Sequence, residues 1–483
     1  MGKKSTKSIF WCLIVILALC GMILVLLATS ESSERSAAVK PDEKELAADK
    51  NEGADKKEEA VYVFAQKTGA LQKLRVNPWD CEAFCVYTKD AEAAKRGEFL
   101  LEGMETFETD AYALNNLIRG VRSLMLYKDL GKQENKVEYG LEPPRMSVTA
   151  WFENTEAATF AVGGNAPSGG NYILYQDHVY VGRNTSWVDT RPLTLLDTTV
   201  ISIQDSSIGV QTERLAFDCL TIQNADITEP LVIRPNPDSS QIYAYRIEEP
   251  VRGFGNDDAI DSILNLVKNL EADHVAAIVE DKTDLSQYGL DEPQNVLTIT
   301  TKASGTHSLR AGKKTEDGWY VMADDKKVVY LVGNDTVSVW TEKNAMDIRS
   351  PLILVPKLQE VSSLVIQTDE RVDRFEIDLQ EGAAEKQVMN ARGRKISVEL
   401  FRQFYQKVIG LQIYDTWVSE IGQDAYMVIE YQYYGENKKD TIVFYNIQDN
   451  ERTCLVHVNG ETVGVIRKTT LDELVRAVGE ISQ

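Results

Sequence analysis

A 44-residue stretch, residues 257–300, constrains this chain most, because the chain contains it twice. A helical segment, NDDAIDSILNLVKNL, leads through the turn QYGLDEP into the alternating strand NVLTIT. The same order stands 149 positions earlier as TDAYALNNLIRGV, EYGLEPP and RMSVTAWF. A repeat of helix, turn and strand at fixed spacing defines a structural unit and predicts tandem domains. In the first copy Leu114, Leu117, Ile118 and Val121 make one apolar helix face behind Asp110, an N-cap residue type. In the second copy Ile263, Leu266, Val267 and Leu270 take those places behind Asp257 or Asp258. Both turns read Tyr-Gly-Leu: Tyr139, Gly140, Leu141 with Pro144, and Tyr288, Gly289, Leu290 with Pro293. Glycine permits a positive φ there, and each proline ends the turn before the strand.

After each turn the pattern changes to short alternating strands, TFAVGG, NYILY and HVYVG in one copy and HSLRAG, GWYVMA and KVVYLVG in the other. Such runs suit antiparallel strands packed on one face. A third, divergent copy follows, with helix SVELFRQFYQKVIGL and strands AYMVIEYQYY, DTIVFYN, CLVHVN and VGVIR. Phe401, Phe404, Val408 and Leu411 form its helix face, and WVSEIGQDA replaces the turn. Strand-like lead-ins precede each helix, and Thr470-Leu471-Asp472-Glu473 has the form of a capping box for a last helix. The predicted fold is α+β: three tandem units, each a helix packed on an antiparallel β-meander, over residues 61–205, 206–357 and 358–483.

The units are preceded by a different kind of sequence. Residues 1–8 carry Lys3, Lys4 and Lys7, and residues 9–30 hold no charge. About 20 apolar residues suffice to cross a bilayer, so this run predicts a transmembrane helix. Lysines before it and Glu31 and Glu34 after it place residues 1–8 in the cytoplasm and the units outside. A signal peptide cleaved near Ala28-Thr29-Ser30 is the rival reading, but the apolar run exceeds the usual h-region. A lipoprotein reading through Cys20 is disfavoured by the bulky Leu19. Residues 31–60, rich in Glu, Lys, Ala, Asp and Ser and without an aromatic, predict a disordered charged stalk.

These features together resemble the bacterial domain-of-unknown-function family 4340. The resemblance spans most of residues 61–483 and rests on the tandem helix, the Tyr-Gly-Leu-x-x-Pro turn and the four-strand meander. It implies an N-terminal membrane anchor with repeated extracytoplasmic domains. Through members associated with gliding-type ABC transport systems, it also implies a transporter partner. That family has no established catalytic residues to carry over and implies no cofactor.

Composition and motifs narrow the function further. A net charge of −22 repels phosphate backbones, which argues against nucleic-acid partners. The glycine-rich loop at 163–170 lacks the lysine and following helix of a phosphate-binding loop and reads as a hairpin. His178, His274, His307 and His457 show no metal-ligand spacing, and no serine stands in a nucleophile elbow. Asp257, Asp258 and Asp261 read as a helix start and Asp324-Asp325 as a turn, not as calcium loops. Cys81 and Cys85 would lie about 13 Å apart on a straight strand, beyond disulfide reach.

Tyr431, Tyr433, Tyr434 and Tyr445 make the third sheet unusually aromatic. They are candidates for an interaction surface or for packing between units. The expectation is therefore a membrane-anchored, non-enzymatic binding or scaffold protein of the bacterial envelope. Its expected partners are other envelope proteins, among them an ABC-type transporter. An extracytoplasmic hydrolase and a solute-binding protein are the alternatives.

Overall fold

Strands with one buried face dominate the chain. Met146–Phe152 and Asn295–Thr301 each alternate strictly between buried and half-buried residues, as one-sided burial of a pleated strand requires. The computed structural model describes residues 61–482 except 65–68, 154, 204–213, 381, 383–385, 417–421, 436–437 and 449. The predicted membrane helix at 9–30, its cytoplasmic flank and the stalk at 31–60 lie outside the described residues. No helix among the described residues is long and apolar enough to cross a membrane.

Three large antiparallel sheets hold most of the chain, two of nine strands and one of eight. The first is drawn from residues 61–183, the second from 219–332 and the third from 361–467. This corrects the expected α+β units of one helix on a four-strand meander: the protein is predominantly β. The lead-in strands do not stand apart but continue each sheet. Leu71–Pro78 pairs with Met146–Phe152, Cys219–Asn224 with Asn295–Thr301, and Val361–Thr368 with Gly422–Tyr433. The physical cause is the open edge that each meander's first strand would otherwise present. In the first two sheets the strand that follows the helix closes the opposite side, Met125–Asp129 on His178–Arg183 and His274–Ile278 on Val328–Val332.

The helices lie where the apolar periodicity places them. Ala111–Arg122 buries Leu114, Leu117, Ile118 and Val121, and the Asp110 carboxylate accepts from the Tyr112 and Ala113 amides at 2.7 and 3.1 Å. Asp257–Lys268 is capped by Asn256, not by Asp257 or Asp258. Asp257 instead turns sideways to accept from the Ala244 amide at 3.1 Å, and Asp261 takes Arg214 at 2.9 Å and the Tyr245 hydroxyl. Val398–Ile409 buries Phe401, Phe404, Tyr405 and Val408. The last helix, Lys468–Ser482, begins two residues before Thr470, so the anticipated capping box falls inside it.

The first two sheets share one continuous core, running from Phe64 to Ile348 and including Trp187 and Leu270. A two-stranded ribbon, Thr199–Ile201 against Leu270–Glu271, crosses between them. The third sheet has its own core, from Ile353 to Ile481. It is joined to the second by Phe254 and Met346, which pack against that core, and by polar contacts. Gln241 donates to the Tyr433 hydroxyl at 3.1 Å, the Tyr405 hydroxyl donates to the Pro356 carbonyl at 2.9 Å, and Lys438 reaches Asp238 at 2.6 Å.

Burial works against ionisation of the Asp238 carboxyl, but bonds from Lys438 and Ser240 outweigh it and hold the group below the usual carboxylate range. A depressed carboxyl contributes stability that is present above about pH 4, its unfolded value, and is lost as pH falls through the folded value. Lys438→Met is therefore expected to flatten the acid limb of a thermal-denaturation profile. An unchanged acid limb in that variant would remove Asp238 from the account.

Candidate binding site

The repeated turn proves to be a joint that docks on its own sheet. Val137–Tyr139 and Leu285–Tyr288 are short 3-10 turns, each closed by a left-handed glycine, Gly140 at φ 62° and Gly289 at φ 66°. Leu141 and Leu290 are buried beneath them. The turn backbone lies directly on a glycine of the second meander strand. A Cβ on Gly163 would stand 2.3 Å from the Tyr139 carbonyl oxygen, and one on Gly312 would stand 2.2 Å from that of Tyr288. Tyr139 packs edge-on against Tyr172, and Tyr288 against Tyr320, both at 4.9 Å between ring centroids. Pro144 and Pro293 end the two turns just before Met146 and Asn295 open their strands. Gly163 and Gly312 are the partners that sequence reading left out. Their signal was present, since they too are 149 positions apart.

The third-sheet tyrosines are not an open surface. Tyr431 and Tyr433 are interior residues, at 0% and 5% exposure. Tyr433 donates to Asp440 at 2.5 Å and meets Gln241 of the second unit. Tyr434 donates to the Ile377 carbonyl. Tyr445 stacks edge-on with His457 at 4.9 Å, beside a small cluster of Ile447, Leu455 and Val465.

The remaining sequence candidates also resolve into structure. The 163–170 loop is a hairpin in which Asn165 pairs with Asn171. The cleft beside it is bridged by its own polar groups, Arg145 to Asp189 at 2.5 Å. His178 bonds Asp129 at 3.0 Å, and His457 meets the Thr462 hydroxyl at 3.0 Å. Asp324 pairs with Arg310 at 2.9 Å. Cys81, Cys85, Cys219 and Cys454 are unpaired thiols. No group of three or more metal-ligating side chains occurs among the described residues.

A different place gathers polar groups from the first and second units, with Lys326 and Asp197 paired and Glu108, Asp325 and Lys327 exposed. At the junction of the first and second sheets lies a cavity of about 560 Å³. Two loops form one wall, held together by the Asp197 amide on the Glu108 carbonyl at 2.9 Å and by a bridge between Thr109 and Leu196. The hairpin turn before Val328–Val332 forms the other, bringing Asp325, Lys326 and Lys327. Tyr330 closes the floor at 2% exposure. Burial, then the charges of Asp197, Glu108 and Asp325, push its phenol far above the usual range, so it stays a neutral donor. Lys326 is engaged, donating to the Thr199 carbonyl at 2.5 Å with Asp197 at 3.8 Å. Apolar surface comes from Phe107, Leu196 and Val328. The lining therefore sets these three apolar residues among five charged ones, Glu108, Asp197, Asp325, Lys326 and Lys327.

A family defined as a domain of unknown function, DUF4340, matches residues 101–254 and 246–425. The chain belongs to this family. Each matched segment begins ahead of a repeat helix and runs into the lead-in strands of the next unit, whereas each sheet takes its lead-ins from before the helix. Cys219–Asn224 of the first segment therefore pairs with Asn295–Thr301 of the second, so that consecutive family units interlock. The chain matches no curated protein and no solved structure.

Proposed function

We propose that this protein is a membrane-anchored, extracytoplasmic binding or scaffold protein of the bacterial cell envelope, working beside an ABC-type transport system. The observation that carries this reading is the uncharged run at residues 9–30 between lysines and a charged, aromatic-free segment at 31–60. The architecture supports it. The first two sheets share a core, and the third is tied to them by Gln241, Asp238 and Arg349, which gives one stiff body suited to presenting surfaces at a distance.

Protease added to the outside of intact spheroplasts is expected to cut within residues 31–60 and release the body whole. Full protection of the chain would place it on the other side of the membrane. Crosslinking in native membranes, followed by mass spectrometry, is expected to recover transporter or other envelope proteins. Clean recovery of this chain alone would overturn the scaffold reading.

A further inference from the structure

We propose that the outer face of the first sheet binds a linear, carboxylate-bearing polysaccharide along the strand pair Leu71–Pro78 and Met146–Phe152. This inference does not rest on the anchor or transporter reading, because it stands on the side chains of one sheet face and is tested in solution, apart from the chain's location.

The first observation is a tryptophan at each end of this strip. Trp79 is 68% exposed, and Trp151 is half-buried. Trp151 stands opposite Lys73, and the Trp79 amide donates to the Arg145 carbonyl at 3.1 Å, one step beyond the pair of Pro78 with Met146. Alternation puts both on the side of the sheet away from the buried Leu74, Val76, Val148 and Ala150. Arg145 to Trp151 is six steps of roughly 3.3 Å, so the strip is about 20 Å long. Next to Trp79, Asp80 is paired with Arg191 at 2.9 Å, which holds the chain beside the exposed ring. A sugar ring presents a face of C–H groups, whose partial positive charge suits the negative face of an aromatic ring.

The second observation is what lies between the tryptophans. Arg75 and Asn77 on one strand, and Ser147 and Thr149 on the other, share the outer face and reach solvent. Thr149, though bonded to Thr159 at 2.9 Å, keeps acceptor capacity. Guanidinium, amide and hydroxyl groups match the hydroxyl rim of a sugar. No outward side chain of the two strands is aliphatic, whereas the centre of a protein–protein interface is apolar and depleted in charge.

The third observation is charge. The chain carries −22 overall, yet the outward residues of this strip include Lys73, Arg75 and Arg145 and no carboxylate. Lys73 lies 3.5 Å from Glu102 and Arg145 2.5 Å from Asp189, so these two are balanced from the side. Arg75, exposed at the centre, has no ion pair among the described residues. A carboxylate on a central sugar matches its guanidinium fork. A single-stranded nucleic acid would also stack on tryptophan, but it needs a cationic track along its backbone, which the balanced flanks do not supply.

The test is calorimetric titration of the full chain in detergent with four probes: hexagalacturonic acid, its methyl ester, hexaglutamate and oligo-dT. Hexagalacturonic acid is expected to bind. The ester, with the same sugar skeleton and no charge, is expected to bind about tenfold more weakly, the effect of one charge-assisted contact. Trp79→Ala is expected to weaken the acid and the ester alike by about tenfold, the scale of one lost stacking contact. Its melting temperature is expected to stay unchanged, since the ring is exposed. Arg75→Gln is expected to weaken the acid to the level of the ester and to leave the ester as it was. Absence of binding by hexagalacturonic acid at millimolar concentration overturns the proposal. So does equal binding of the ester, or binding of hexaglutamate or oligo-dT as tight as that of the acid, which would make the face a charge patch or a nucleic-acid surface. Unaltered affinity in Trp79→Ala overturns it too, as does a dimer in sedimentation that Trp79→Ala dissociates, which would make the face an interface with a second copy.

Discussion

Gly312→Ala is expected to cost about 3 kcal/mol or more, at or above the top of the range for overpacked sites. The added Cβ would stand 2.2 Å from the Tyr288 carbonyl oxygen and 2.7 Å from that of Gly289. Both are backbone atoms of the docked turn, so no side chain can swing aside. Gly312 does not have a positive φ, so alanine suits its own backbone and the effect isolates the contact. Relief requires the turn to lift, which exposes Leu290 and separates Tyr288 from Tyr320. Gly305 provides the comparison. It has φ 81° but open space around its Cβ, and its alanine variant is expected to cost only about 1 kcal/mol. Chemical unfolding of both variants checks this. If Gly312→Ala is no worse than Gly305→Ala, the turn is not docked as described. Gly163→Ala should reproduce the larger effect in the first unit.

Arg349→Met is expected to loosen the third sheet from the second at a cost of a few kcal/mol, about 1–3 kcal/mol for each carbonyl that loses its donor, offset in part by relief of the buried charge. Arg349 is 4% exposed, and burial draws its pKa down to about 10. No carboxylate is among its hydrogen-bond partners. Its guanidinium donates to the carbonyls of Val251 at 2.8 Å and Arg252 at 2.7 Å, on the second unit, and of Val463 at 2.8 Å, on the edge strand of the third sheet. Methionine relieves the buried charge but leaves three carbonyls without donors, each a penalty of about 1–3 kcal/mol. The three orphaned acceptors outweigh the one relieved charge. The planar fork matters as well, since the guanidinium lies flat over Gly253, where a Cβ would meet its central carbon at 2.3 Å. Lysine keeps the charge but cannot reach three carbonyls from one plane, so Arg349→Lys is expected to fall close to the methionine variant. Hydrogen exchange over Glu461–Arg467 reads the effect directly. Full protection in either variant would show that the other contacts, Gln241 with Tyr433 and Lys438 with Asp238, suffice to join the units.

The two predictions divide what was legible in the chain from what was not. The Tyr-Gly-Leu turn was legible because a glycine, a proline and a repeat offset are local signals. Its docking partner was not singled out, because Gly312 reads alone as an ordinary strand glycine. The helix faces were legible from their 3.6-residue period, and Leu114, Leu117, Ile118 and Val121 are buried together. The cap of the second helix, expected at Asp257 or Asp258, falls one or two residues earlier at Asn256. Asn and Asp are equally good caps by type, and only the approach of the Ala244 amide drew Asp257 away. The aromatic third sheet was legible as composition. Whether Tyr431 and Tyr433 faced solvent depended on what covered them, and the second unit's Gln241 segment and the helix bearing Tyr405 do so.

The sequence by itself determined the period-2 strands, the amphipathic helices, the repeated joint and the membership of the DUF4340 family. Each is written in neighbouring residues or in a spacing. Only the tertiary structure decided that the lead-in strands enter the same sheets, that the first two units share a core, and that Tyr330 faces a cavity rather than packed side chains. Those outcomes rest on pairs such as Val76 with Val148 and Leu220 with Ile299, which are brought together by closing an open sheet edge. A strand's alternation says which face is buried. It leaves open which distant strand will lie beside it, and so where polar groups from two units will meet.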